Sequence, residues 1–296
     1  MIREALAGVA RQPGLGAVLT RTPVARGLVD RLVGGDSAES AVAVAAQWSD
    51  EGFWTALEWS GPPADGPQAL GDQVQAMAEG GVASTCELAL VPERLATDDP
   101  EGDLAVLDAI RRKARAAGID VVLGASPEAV LDRHLELAER WASMGLPVRV
   151  TIPAADRRAE SICRGLGEQR ARLVKGTRAG ASGSGYRQPI EVDKSFIRCA
   201  KALLRDGADP SFSTHDGRLL EMLEVAAGRA GCEPGDYELA FFLGRQERTA
   251  ERLMREGHRV RLYIPYGPDW YERLMGGLAE QSSSLGAAVR SLLPGA

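Results

Sequence analysis

Much that would assign a chemistry quickly is missing from this chain. No stretch reaches the ~18 uninterrupted apolar residues of a membrane-spanning helix, and the N-terminus has no apolar core of the kind found in secretory leaders. The four cysteines (Cys86, Cys163, Cys199, Cys232) are far apart, with no CxxC and no histidine at ligand spacing. That argues against a structural zinc or a disulfide framework and for buried, reduced thiols, and no metal site is expected. Histidines number only three and aromatics 5% of residues. The net charge of −6 is mildly acidic and spread along the chain, which argues against a nucleic-acid partner. Neither GxGxxG nor Walker spacing occurs, so no nucleotide fingerprint is present. What remains is an ordinary soluble composition, 45% hydrophobic and 26% charged, with the cytoplasm as the expected compartment.

The 296 residues are patterned regularly. Short apolar runs at Phe53–Trp59, Ser84–Leu90, Asp120–Ala125, Val148–Ala154, Ala171–Thr177, Pro210–His215, Tyr237–Leu243 and Arg259–Pro265 read as strands. Helical periodicity fills the gaps at Gln68–Glu79, Asp103–Ala117, Pro127–Ser143, Asp156–Leu166, Asp193–Asp206, Gly217–Ala230, Gln246–Glu256 and, after the last strand, Trp270–Glu280. Ser126-Pro127, Asp193 and Asp216 sit where N-caps are expected, and glycines such as Gly118, Gly231 and Gly257 where helices end. Strict alternation implies a parallel sheet with right-handed crossovers. Eight such units predict an α/β fold of the (β/α)8 TIM type, with an open doubly wound sheet as the competing arrangement. The expected division is an N-terminal helical extension over 1–50 (Ser37–Ser49 its clearest helix), a barrel over 51–285 and a tail over 286–296.

Barrel enzymes place their chemistry on the C-terminal ends of the strands. The residues to weigh are therefore Glu58, Glu87, Gly124, Pro153, Arg172 with Lys175, Thr214 with His215, Glu238 and Tyr263. Arg172 and Lys175 lie three apart across a strand end and its turn, and two cations there suit an electron-rich ring edge or a pyrophosphate. A lone arginine or lysine is more often a solvated charge, and a lone histidine a hydrogen-bonded core residue. The Gly-rich loop 176–185 reads as an active-site loop or as a plain linker.

Five segments, in order, resemble the proline dehydrogenase family: residues 31–59, RARLVKGTR (170–178), FSTHD (212–216), the strand opening YEL (237–239) and RLYIPYGPDWYERL (261–274). The RLVKG run is the most specific of them. The resemblance implies a distorted (β/α)8 barrel that holds FAD non-covalently. It implies oxidation of L-proline, or a related cyclic or secondary amine, to the imine (pyrroline-5-carboxylate for proline) by hydride transfer to flavin N5, as in proline catabolism. It further implies that Arg172 and Tyr263 are catalytic, and that Arg172, Lys175, Gly176, Thr214, His215 and Glu238 hold the cofactor. Tyr263, Glu87 and Arg273 would line the substrate pocket. The electron acceptor it implies is a quinone, with the protein peripheral to the inner membrane.

The departures from the family cluster on the substrate side. A lysine of the second strand becomes Glu87, and its aspartate partner becomes Gly124, or Asp120 in a shifted register. Glutamines become Pro153 and Ala240, and the tyrosine ahead of the carboxylate-gripping arginine pair becomes Arg273. The pair itself is Gly276-Gly277. An arginine pair grips a desolvated carboxylate with charge-assisted bonds, so its loss weakens amino-acid binding. Two other readings therefore accompany the dehydrogenase: a catalytically inactive barrel that binds FAD or a ligand in a structural or regulatory role, and a flavin-free lyase using Glu87 and Lys175.

Overall fold

The computed structural model describes residues 32–95, 99–124, 130–175, 185–206 and 209–270. Eight parallel strands, β1 (Trp54–Trp59), β2 (Cys86–Leu90), β3 (Val121–Leu123), β4 (Arg149–Pro153), β5 (Ala171–Val174), β6 (Ser211–Ser213), β7 (Glu238–Phe242) and β8 (Arg259–Tyr266), pair in sequence order and close into a barrel. The seam is the β1–β8 ladder, in register from Trp54 with Arg261 to Trp59 with Tyr266. The open-sheet alternative is excluded by that ladder. Helices α1 (Ala38–Asp50), α2 (Gly66–Glu79), α3 (Pro100–Ala116), α4 (Leu131–Ser143), α5 (Ala159–Gly165), α6 (Pro189–Asp206), α7 (Gly217–Ala230) and α8 (Glu247–Arg255) surround it.

Local chemistry sets these boundaries. The Ser37 side chain accepts from the Ser40 backbone N–H while Ser40 Oγ accepts from that of Ser37, a capping box that starts α1. Asp216 accepts from the Arg218 N–H at 3.1 Å and starts α7, which stops at Gly231 in the left-handed conformation. Three helices begin earlier than their periodicity predicts, α2 at Gly66, α3 at Pro100 and α6 at Pro189, because proline (Pro67, Pro100, Pro189) suits the first turn, where no N–H is needed. Asp193 is therefore not a cap; it lies inside α6. The segment around Ser126-Pro127 and the helix expected after Trp270 lie outside the described residues. The final strand runs one residue past its expected end, to Tyr266. Gly267 then takes φ +102°, where an added Cβ would stand 2.6 Å from the Ser60 carbonyl oxygen.

Strand residues alternate between two environments. Leu88, Leu90, Val150, Ile152, Leu173, Phe212, Leu239, Phe241, Leu262 and Ile264 belong to one apolar core shared with the helices. The alternate positions include Glu87, Arg149, Arg172, Ser211, Glu238 and Arg261, all buried. Glu87 contacts arginines on β4, β5 and β8, none of which neighbours β2, so these side chains meet inside the barrel. The interior that is filled by branched apolar layers in most such barrels is filled here by ions. In the outer layer, the fully enclosed Phe212 ring stands 6.5 Å from Phe196 and 5.9 Å from Tyr237, both edge-on. Phe212→Ala is expected to destabilise by about 3–5 kcal/mol, read as a lowered urea midpoint with an unchanged denaturant slope.

Candidate active site

The interior ions form a connected network. Glu87 receives Arg149 Nε on one oxygen at 3.1 Å and Arg172 Nη2 on the other at 2.7 Å, with Arg261 Nε at 3.5 Å. Glu238 receives Arg261 through Nε at 2.9 Å and Nη2 at 2.8 Å, Arg172 Nη2 at 3.2 Å and the Ser211 hydroxyl at 2.7 Å. Arg172 Nε donates to that same hydroxyl oxygen at 3.1 Å. Strand register explains this ordering, since Arg172 pairs with Ser211 and Ser211 with Glu238 on successive strands, which puts them at one level. Below, Arg149 also holds Asp209 at 2.9 Å, and Arg170 and Arg259 share the same carboxylate.

Desolvation would push the Glu87 carboxyl up, but Arg261, Arg172 and Arg149 more than offset it and hold its pKa at about 2. Glu238 is driven well below the carboxylate range by the same balance, with Arg261 the leading neighbour. Both are ionised across the physiological range. Arg172 is 2% exposed, and its Nη1 is enclosed without a hydrogen-bond partner among the described residues. Its Cζ lies 5.8 Å from the centre of the Tyr263 ring.

At the C-terminal ends of the strands a second set of residues is tied together. Lys175, just past β5, reaches Asp193 of α6 at 2.7 Å and Asp216 at the start of α7 at 3.0 Å. Although burial works against it, these two carboxylates raise the lysine pKa. Thr214 is buried, with its hydroxyl oxygen accepting from the Asp216 N–H at 3.2 Å. His215 Nε2 accepts from the Phe242 N–H at 3.1 Å, so the neutral ring carries its proton on Nδ1. The ring stacks on Phe242 at 5.8 Å, and Phe242 meets Tyr263 edge-on at 5.5 Å. An aromatic line thus runs from His215 to the ring over Arg172.

The structure therefore brings Arg172, Tyr263, Glu87 and Glu238 together, with Lys175, Thr214 and His215 along the adjoining rim. Glu238 opens β7 and Glu87 is the second residue of β2, so both lie inside the barrel and not at the strand ends where the sequence set them. Asp120 is ruled out as a pocket residue: it is exposed and pairs with Arg170 at 2.8 Å, before β3 begins. Gly124 fits better, because a Cβ there would lie 3.5 Å from the Tyr263 hydroxyl and 2.7 Å from Val91 Cγ2. Of the cysteines, Cys86, Cys163 and Cys199 are buried and Cys232 half-buried, all unpaired. Gly176, Arg273, Gly276 and Gly277 lie outside the described residues.

Three charged residues escaped the sequence reading: Arg149, Arg261 and Asp209. For the two arginines the signal was period two, whereas Asp209 lies ahead of β6 and carried none. In RVTIP, ARLV, CELAL, ELAFF and RVRLYIPY each charge falls on the strand face opposite the apolar residues.

The family model for proline dehydrogenase matches residues 69–275. The chain belongs to the proline dehydrogenase family. Proline dehydrogenase 2 of Bacillus subtilis strain 168 is 28% identical over 121 residues, a match that spans 41% of this chain and 40% of that protein. Proline dehydrogenase 1 of Bacillus subtilis subsp. natto is 23% identical over 278 residues, covering 89% of this chain and 90% of the relative. Among solved structures, proline utilization A from Bdellovibrio bacteriovorus, inactivated by N-propargylglycine, superposes with a TM-score of 0.79 at 15% identity, over 98% of this chain and 37% of its own. A Bradyrhizobium japonicum proline utilization A mutant gives 0.71 at 17%, over 95% and 34%. At such identities the likeness is one of fold, and this chain spans little more than a third of either protein.

Acid stability should report the interior ions. A carboxyl held at about 2 in the folded chain and at about 4.3 when unfolded stabilises fully above the higher value and progressively less as pH falls toward the lower. Urea midpoints measured from pH 6 to pH 2 are expected to fall steepest below about pH 4.5, and Glu87→Gln to flatten that fall. Glu87→Ala, which takes one carboxylate away from three guanidinium groups, is expected to cost about 3–5 kcal/mol at pH 7.

Proposed function

We propose that this protein is a flavin-dependent oxidoreductase of the proline dehydrogenase type, oxidising L-proline or a related cyclic or secondary amine to the imine. The carrying observation is the Arg172 Nη1 group, an enclosed N–H donor with no acceptor among the described residues, on the strand of the RLVKG motif. A buried donor without a partner costs ~1–3 kcal/mol unless a bound group supplies one. FAD fits that requirement, since the edge of its ring system offers acceptor atoms and its reduced form gains negative charge that a guanidinium stabilises. When bound, the flavin supplies the two-electron acceptor for hydride from the carbon beside the amine nitrogen.

The chain's own residues do the rest. Arg172 would hold the acceptor edge, with Lys175, Thr214 and His215 along its rim. Lys175 keeps the rim rigid by joining the end of β5 to α6 and α7. Tyr263, above the Arg172 guanidinium, would wall the pocket that excludes water from the reacting carbon. The proposed final electron acceptor is a quinone; among the described residues no helix is long and apolar enough to cross a membrane.

A second reading, an inactive FAD- or ligand-binding barrel, is favoured by two features. Arg172 Nη2 is already shared by Glu87 and Glu238, and glycines 276 and 277 stand where the family has a carboxylate grip.

Purified protein is expected to be yellow, with flavin absorbance that bleaches anaerobically on adding L-proline or a member of a secondary-amine panel. Yellow protein that no amine bleaches supports the second reading, and a chain that stays colourless and takes up no FAD contradicts the first reading and leaves of the second only a barrel that binds another ligand. In active protein, Arg172→Ala should lower kcat by ~100-fold or more. Arg172→Lys should rescue poorly, because an ammonium lacks the planar fork.

A further inference from the structure

The Arg172 guanidinium is planar, so fixing two of its nitrogens fixes the third. Nε is held by the Ser211 hydroxyl at 3.1 Å, and Nη2 by Glu87 at 2.7 Å and Glu238 at 3.2 Å. The holders are themselves anchored. The other Glu87 oxygen takes Arg149 Nε at 3.1 Å, and Glu238 takes two nitrogens of Arg261 and the Ser211 hydroxyl proton. A guanidinium grips a carboxylate in two-pronged fashion along either its Nε–Nη2 edge or its Nη1–Nη2 edge. Both edges contain Nη2, and Nη2 already serves two carboxylates. Glu87 makes the shorter of those contacts and makes it from β2, across the barrel from β5.

We propose that Glu87 is a positioning residue for Arg172: together with Glu238 and Ser211 it closes both two-pronged edges of the guanidinium and leaves Nη1 as a one-pronged donor for a single acceptor atom of the bound ligand. The group that Arg172 takes is then a ring carbonyl or ring nitrogen, such as a flavin edge presents, and not the carboxylate of an amino acid. Glu87 itself touches no ligand, because its oxygens are occupied by Arg149, Arg172 and Arg261. This assignment rests on the flavin reading only for the identity of the acceptor; the locking of Arg172 stands on the protein alone.

Two measurements on the full chain test it separately. The first is side-chain 15N NMR of perdeuterated protein, with the Arg172 guanidinium signals assigned through Arg172→Lys. Wild type is expected to show distinct, slowly exchanging Nη1 and Nη2 signals, Glu87→Gln to merge them, and Glu87→Asp, which keeps the charge, to restore part of the separation. Merged signals in wild type, or signals unchanged by Glu87→Gln, would overturn the proposal, and the wild-type arm decides even if the Gln variant does not fold. The second is FAD binding by fluorescence quenching together with the flavin midpoint potential. Glu87→Gln is expected to weaken FAD by about tenfold and to shift the potential, with recovery in Glu87→Asp. Should wild type take up no FAD, the flavin reading falls while the NMR result still decides the positioning role.

Discussion

Two carboxylates shared among three guanidinium groups occupy the middle of this barrel, and the arrangement leaves little freedom to anything around it. A buried ion is expensive to desolvate and tolerable only when its partners are in place. Glu87 and Glu238 are each 2% exposed or less, and Arg149, Arg172 and Arg261 likewise. Because the partners come from β2, β4, β5, β7 and β8, satisfying any one charge requires several strands to be in register together. A one-residue slip on any of them would turn its charge outward into the apolar layer beneath the helices. The ion network is thus a register lock as much as a source of charge.

Function, on the account given, is built on top of that lock. Arg172 is its guanidinium group on β5, packed against the Tyr263 ring and with one nitrogen left without a partner among the described residues. From Tyr263 the rim continues through Phe242 to His215, and from β5 through Lys175 to the first turn of α7. The rim residues are held by hydrogen bonds and ring contacts, the deeper ones by ion pairs. An arginine so restrained suits a cofactor edge that must meet the same donor in every turnover, since a preorganised donor needs no rearrangement as charge develops.

The barrel was legible in the sequence because its signal is repeated: eight apolar runs, alternating with helical periodicity and punctuated by glycines such as Gly118, Gly231 and Gly257 at φ +72°, +78° and +92°. Helix starts were less so. Pro100 and Pro189 begin α3 and α6 ahead of their apolar periodicity, and Asp193, which looked like a cap, is spent on Lys175. Within the site, Arg172 and Tyr263 could be singled out from motifs that sit together in the chain. Glu87 and Glu238 could be singled out too, but not as partners of Arg172, because with Ser211 they lie 85, 66 and 39 residues away, and only strand register brings them together. In sequence, the carboxylate at position 87 is a replacement for a lysine on the substrate side of the pocket. Folded, it is a neutralised ligand of arginines, and its influence on the pocket passes through Arg172.

The most direct test of the central claim is a double-mutant cycle on Glu87 and Arg172, using Glu87→Gln, Arg172→Gln and the pair, with unfolding free energies from urea titration at pH 7. A shared, desolvated ion network predicts strong coupling, about 1–3 kcal/mol, with the double variant less damaged than the sum of the singles. Effects that add to within about 0.5 kcal/mol would mean that the two residues do not depend on one another, and would contradict the account.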